Sequence, residues 1–233
     1  MRLAILSDIH SNLEALNKAL SVVDSRGADE ILCLGDVVGY GGNPNECVEI
    51  VRKRCSTVLL GNHDVAALDL SAAQTFTTLA RISAEWTFEQ LSTENKAFLR
   101  SLPLTASKEG ILLVHSSPFE PSEWNYIFSA PDAHLGFEHF SEEICFVGHS
   151  HVPGVFGEKS AKKQVKRGER FIVNVGSVGQ PRDGNVNLSF GIFDTDKWEY
   201  ENVRASYDVK GAAEAIIKAG LPRPLADRLG AGA

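Results

Sequence analysis

Leu3-Ala4-Ile5-Leu6-Ser7-Asp8-Ile9-His10 decides how this chain is read. Four apolar residues lead to a carboxylate, and an imidazole follows two residues later. A run that is apolar at every position predicts a strand buried on both faces, the habit of a sheet covered by helices. Ligands of such sheets gather beyond the carboxyl ends of the strands, which is where Asp8 and His10 leave. An oxygen donor and a nitrogen donor this close together suit a borderline divalent metal.

The construction recurs. The apolar run 31–34 leads to Gly35-Asp36, and 58–60 leads to Gly61-Asn62-His63-Asp64. The run 111–114 ends at His115, and 144–147 ends at Gly148-His149-Ser150-His151. Five strand-like segments thus deliver metal-ligand residue types at the same end, and they hold five of the chain's seven His. One such His is ordinary packing; five at matching strand ends point to a site. His134 and His139, on a predicted helix before the fifth strand, read as surface or packing residues.

The candidate metal ligands are therefore Asp8, His10, Asp36, Asn62, His115, His149 and His151. Two ions with about four protein ligands each are filled by these residues if one carboxylate bridges. Asp36 is the natural bridge, one oxygen to each ion, with the ions about 3.5–4 Å apart. Oxygen and nitrogen donors suit Mn, Fe, Zn, Co or Ni better than Ca or a thiolate-loving ion. Water between two such ions becomes a hydroxide nucleophile near neutral pH, and the ions clamp an in-line displacement at phosphorus. His63, in the turn after Asn62, is placed to face substrate, steadying phosphoryl charge or protonating the leaving oxygen. Asp64 is expected to fix its tautomer.

The chain has 233 residues, enough for one domain over 1–233. No apolar run approaches the roughly 20 residues of a membrane span, and the N-terminus lacks a signal-peptide pattern. Cys33, Cys47, Cys55 and Cys145 include no Cys-x-x-Cys pair and read as reduced packing residues of a cytoplasmic protein. A net charge of -7 argues against a grip on extended nucleic acid. It is compatible with a small phosphorylated substrate, because divalent ions reverse the local field.

Ser11-Asn12-Leu13-Glu14 is a capping-box pattern, followed by Leu13, Leu16, Leu20 and Val23 at helical spacing and by Gly27. Strand, helix, strand in this span is a βαβ unit. A glycine-rich turn, 35–42, precedes a second helix opened by Asn43-Pro44. Residues from about 70 to 103 predict a helical insertion, either plain cover for the sheet or a cap over the substrate cleft. Trp124 and Tyr126 follow His115 in a loop, lining a pocket or packing the loop down. Beyond His151 the pattern predicts antiparallel strands. Lys159, Lys162, Lys163, Lys166, Arg167 and Arg170 cluster at a hairpin, solvated or in contact with an anion. A last helix is expected over about 208–219, with a fraying tail at 230–233. Asn12, Tyr40 and Arg182 are candidate substrate contacts.

Taken together, Asp8/His10, Gly35-Asp36, Gly61-Asn62-His63-Asp64, His115 and Gly148-His149/His151 resemble the motif series of the calcineurin-like metallophosphoesterase superfamily, in its order. The resemblance spans residues 1 to about 195. It implies a four-layer αββα sandwich of α/β class. It also implies one metal on Asp8, His10, Asp36 and His151, a second on Asp36, Asn62, His115 and His149, and a substrate-facing His63. Ser/Thr protein phosphatases and symmetrically cleaving dinucleoside tetraphosphatases carry Arg-Gly after the Gly-Asp; here Tyr40-Gly41 stands there. The strings around Tyr40 and Gln180-Pro181-Arg182 look like a group of small bacterial phosphoesterases, some cleaving phosphodiesters and some dinucleoside polyphosphates. The expected activity is hydrolysis of a small phosphodiester or a nucleotide phosphoanhydride. The alternatives are a nuclease of the same superfamily and a non-catalytic metal-binding interaction module. A homodimer through an antiparallel edge is compatible with the pattern.

Overall fold

In the computed structural model the strand β1 (Arg2–Leu6) is buried from Leu3 onward. Its side chains alternate between two environments. Ala4 and Leu6 pack on helices, while Leu3 and Ile5 face a second sheet. The structure describes residues 1–159 and 164–233. Among them, α1 (Leu13–Arg26), β2 (Glu30–Cys33), α2 (Pro44–Arg54), β3 (Thr57–Val58) and α3 (Asn62–Ala66) follow β1. A 3-10 turn (Leu70–Thr75), α4 (Thr78–Gln90) and α5 (Thr93–Arg100) form the helical stretch expected over 70–103. Then come β4 (Thr105–Lys108), β5 (Ile111–Val114), α6 (Ala130–Phe137), β6 (Ile144–Val147), β7 (Gly154–Gly157) and β8 (Phe171–Asn174). The chain closes with β9 (Leu188–Asp194), β10 (Glu199–Ala205), α7 (Val209–Lys218) and α8 (Arg223–Asp227).

The first sheet has the order β10-β9-β1-β2-β3 and the second β4-β5-β6-β8-β7. Each mixes parallel and antiparallel pairs; β1 runs parallel to β2 but antiparallel to β9. Leu3, Ile5 and Leu32 meet Ile111, Leu113, Phe146, Phe171 and Val173 in the seam between the sheets. On the outer side of the first sheet, Leu6 and Cys33 pack with Leu16 and Val23 of α1 and Val48 and Val51 of α2. On the outer side of the second, Cys145, Val147 and Ile172 pack with Ala133 and Phe137 of α6. This is the expected four-layer αββα sandwich. It explains the unbroken apolar runs, because strands covered on both faces have no polar side. Each fully buried Leu, Ile or Phe contributes about 1.5–3 kcal/mol.

Several local expectations are corrected. β3 is only two residues long, because the Leu60 N–H donates to Pro103 O rather than to a strand neighbour. The helix cap of α1 is Asn12, not Ser11, and its side chain accepts from Ala15 N. β4 was not anticipated, since Thr-Ala-Ser-Lys carries no apolar signal; it pairs with β5 across a tight turn in which Glu109 and Gly110 both take positive φ. Beyond His151 the pairing is not uniformly antiparallel, because β8 lies parallel to β6. α7 is not the last helix. Leu225 and Leu229 pack α8 and a final 3-10 turn against Ala212 and Ile216. The tail is pinned instead of frayed, with Gly232 buried and its carbonyl accepting from Gly184 N at 3.0 Å.

All four cysteines are free, and burial pushes their thiols up, Cys55 to about 12. No described helix is long and apolar enough to cross a membrane. Of the basic cluster, Lys162 and Lys163 lie outside the described residues. Arg170 pairs with Glu158 and Lys166 with Glu169, and Arg167 covers the Trp198 ring.

Candidate metal centre

The ends of β1, β2, β3, β5 and β6 converge. Asp8, His10, Asp36 and Asn62 come from the first sheet, and His115, His149 and His151 from the second. They form two buried triads, Asp8/His10/His151 and Asp36/His115/His149, with the donor atoms of each within 4.8 Å of one another. Each triad therefore draws on both sheets. Asn62 joins the second triad, its Oδ1 3.3 Å from His115 Nε2.

Asp36 stands between the triads. Its Oδ2 lies 3.4 Å from His115 Nε2 and 3.7 Å from His10 Nε2. Its Oδ1 accepts the His63 N–H at 2.8 Å. One oxygen per ion was expected; here a single oxygen faces both triads while the other holds the backbone.

The imidazoles are oriented from behind. His10 Nδ1 meets Val38 O at 3.1 Å, His115 Nδ1 meets Leu34 O at 3.0 Å, and His151 Nδ1 meets Gln180 O at 2.6 Å. A carbonyl only accepts, so each Nδ1 carries the proton and each Nε2 presents its lone pair. His10 Nε2 and His151 Nε2 then face each other at 3.0 Å, which is repulsive unless a cation lies beside them. His149 Nε2 is buried without any partner. Burial pushes His10 and His149 down, His149 to about 3, which keeps them as neutral donors. Burial also opposes charge on His115, but Asp36, Asp8 and Asp64 outweigh it and hold it up to about 9. The centre thus lacks positive charge and takes a proton where a cation would stand. Orphaned buried donors and a charge deficit fit two divalent ions.

This convergence is strained. Asp8, His10, Asp36, His149 and His151 all have φ between 50° and 65°, a region that costs non-glycine residues of order 1 kcal/mol each. Two glycines make room for the carboxylates. A Cβ on Gly61 would collide with Asp36 Oδ1, and one on Gly148 would collide with Asp8 Oδ2 and Ser7 Oγ.

Beside the centre opens a cleft of about 510 Å³, lined by Tyr40, His63, Phe76, Trp124, Tyr126, Arg182 and Arg228 among others. The His63 ring sits 4.5 Å from Tyr40 and 4.7 Å from Phe76. Burial holds it down to about 4, so it is neutral. Its Nδ1 is buried without a partner, and the residue lines the cleft. Asp64 does not touch that ring as expected. Its two oxygens accept from Val38 N and Gly61 N, each at 3.0 Å, and so tie two ligand-bearing turns together. Burial and the nearby Asp36 push its carboxyl up to about 7.

Tyr126 stacks on His149 at 4.0 Å, and Phe128 stacks on Tyr126 at 5.2 Å, so the loop after His115 does line the cleft. Arg182 also lines it, its Nη2 2.9 Å from Gln180 Oε1 and 3.3 Å from the Tyr40 hydroxyl. Asn12 does not. Both ends of its amide serve the fold, accepting from Ala15 N and donating to Gly179 O at 2.8 Å. Phe76 and Arg228 were missed as cleft residues. Phe76 lies in the helical stretch expected over 70–103, where one aromatic residue gives no signal of its own, and Arg228 follows the helix expected to be the last, where charge alone gives none.

The sequence pattern of the calcineurin-like phosphoesterase superfamily domain matches residues 1–198. An uncharacterized protein of Methanocaldococcus jannaschii is 41% identical over 237 residues, covering 97% of this chain and 96% of that one. Phosphodiesterase YfcE of Escherichia coli is 26% identical over 206 residues, covering 84% of this chain and 89% of its own. Among solved structures, a metallophosphoesterase from Sphaerobacter thermophilus matches with a TM-score of 0.89 at 38% identity, covering 100% of this chain and 99% of that one. A protein of Pyrococcus horikoshii shares the fold, with a TM-score of 0.84 at 20% identity, covering 100% and 98%. With two buried Asp/His triads at its strand ends and Asp36 facing both, this chain belongs to the calcineurin-like phosphoesterase superfamily and is a metal-dependent phosphoester hydrolase.

Proposed function

We propose that the chain hydrolyses a small phosphodiester or the phosphoanhydride of a nucleotide. The observation that carries this reading is Asp36 Oδ2 facing both triads, next to a cleft with basic and aromatic walls. Asp8, His10, Asp36 and His151 would hold one ion, and Asp36, Asn62, His115 and His149 the other. Divalent ions so held lower the pKa of water toward neutrality and stabilise both oxygens of an in-line displacement at phosphorus.

The chain's own residues do the rest. His63 is neutral, so it acts as a hydrogen-bond donor to a phosphoryl or leaving oxygen and not as a fixed cation. Arg182 meets the phosphoryl oxygens with a planar fork of donors. Trp124 and Tyr126 receive the organic part of the substrate. Asp64 acts as a positioning residue, holding the Gly61 turn against Val38. A nuclease reading would need an extended basic groove, but among the described residues Arg182 and Arg228 are the only Lys or Arg side chains lining the cleft, and Lys159, Lys166, Arg167 and Arg170 are absent from it.

The test is initial rates of chelator-stripped protein reloaded singly with Mn, Fe, Co, Ni, Zn or Mg. The panel holds a chromogenic phosphodiester, a phosphomonoester, cyclic nucleotides, a dinucleoside tetraphosphate and single-stranded DNA. Turnover that needs metal and favours the diester or the tetraphosphate is expected. Preference for DNA would move the reading to a nuclease. No turnover with two ions bound would move it to an interaction module.

A further inference from the structure

Arg182 and Arg228 arrive from distant parts of the sequence and share one environment. Their guanidinium carbons lie 5.6 and 5.5 Å from the centroid of the Tyr40 ring. Both reach the same acceptor, Gln180 Oε1, at 2.9 and 3.5 Å. Neither forms an ion pair with a carboxylate among the described residues, whereas Arg26, Arg54 and Arg204 do. Gln180 Nε2, beside them, is buried with no acceptor. Two cations and an orphaned donor have therefore been gathered around one neutral oxygen. Like charges held this close repel unless an anion joins them. Burial, with Arg182 nearby, lowers the Arg228 pKa, which is a sign of the same deficit. Glu123 lines the same cleft but bonds to neither arginine.

The position of the pair gives it meaning. Tyr40 carries it to the metal centre, since its ring lies 4.7 Å from that of His10, a metal-ligand candidate. Arg182 N also donates to His151 O. A phosphoryl group at the triads would have Arg182 beside it and Arg228 one step further out. We infer that Arg228, together with Arg182, forms an anion subsite for a second phosphoryl group, so that the preferred substrate is a phosphoanhydride and not a simple diester. This rests on the hydrolase reading above and chooses between its two branches. Two guanidinium forks match the oxygens of adjacent phosphoryl groups, and charge-assisted hydrogen bonds of this kind are strong.

The test is calorimetric binding to the full, metal-loaded chain. The probes are methylenediphosphonate, which has two phosphoryl groups and no cleavable bridge, and methylphosphonate, which has one. In the unmodified protein the diphosphonate binds at least about tenfold more tightly. In Arg228→Gln that ratio falls toward one, and Arg228→Lys, which keeps the charge, retains part of it. A ratio near one in the unmodified protein, or a ratio that survives Arg228→Gln, overturns the subsite. Failure of the hydrolase reading is distinguishable: turnover would be absent with every ion, while the binding ratio and its loss in Arg228→Gln would persist.

Discussion

Asp36 holds the His63 N–H with one carboxylate oxygen and offers the other to both His10 and His115. Asp36→Asn keeps an acceptor for the His63 N–H while removing the shared charge. Turnover should fall by more than about 100-fold. Bound metal, measured by elemental analysis, should drop below two ions per chain while circular dichroism is unchanged. Retained turnover in metal-free protein would sink the proposed chemistry.

Gly148 lies where the backbone passes against Asp8. Gly148→Ala is conformationally mild, since φ at this position is not positive, so its cost is contact alone. Overpacking of this kind costs about 1–3 kcal/mol. Denaturant unfolding of the variant should show that loss, together with weaker metal retention. Wild-type stability and metal content in Gly148→Ala would show that the close approach is not needed.

Lys108 on β4 reaches both oxygens of Glu30 on β2 at 2.6 Å, and so ties the edge strand of the second sheet to the first sheet. The hydrogen bond from Lys108, then that from Ser56, lowers the Glu30 pKa. A lowered carboxylate contributes stability that is fully present above its unfolded pKa, about 4.3. That stability is lost as pH falls through the folded value. Side chains 28% and 29% exposed keep the effect below about 1 kcal/mol. The stability gap between wild type and Glu30→Gln should therefore be largest near neutral pH and close in acid. A gap that stays constant from neutral pH into acid would refute the assignment.

Tyr126 stacks on His149, lies beside Phe128 and lines the cleft. An aromatic group meeting the exposed edge of such a ring gains about 0.5–1.5 kcal/mol. Tyr126→Ala should lower kcat/KM by up to about tenfold for substrates with an aromatic leaving group, and less for alkyl ones. Equal losses on both would mean that the ring only positions His149.

The strands and metal-ligand candidates were legible because burial on both faces writes an unmistakable apolar run, and because donors at strand ends are few and chemically distinctive. β4 was not legible, because an edge strand formed by a hairpin turn needs no apolar residues. The partner of Asp64 was misread because proximity in sequence suggested the His63 ring, whereas the βα turn at Gly61 directs the carboxylate to backbone N–H groups. Arg228 was invisible because its meaning depends on a neighbour, Tyr40, nearly the whole chain away. The left-handed backbone at five of the ligand candidates had no signal either, since Asp and His reach it only under tertiary constraint.

Neither sheet carries a complete triad. The first contributes Asp8 and His10 but waits for His151; the second contributes His115 and His149 but waits for Asp36. Tight ion binding and docking of the two halves are therefore coupled. A nascent or misassembled chain with only one half formed stays chemically silent, and hydrolytic power is acquired last, once the molecule is correctly built.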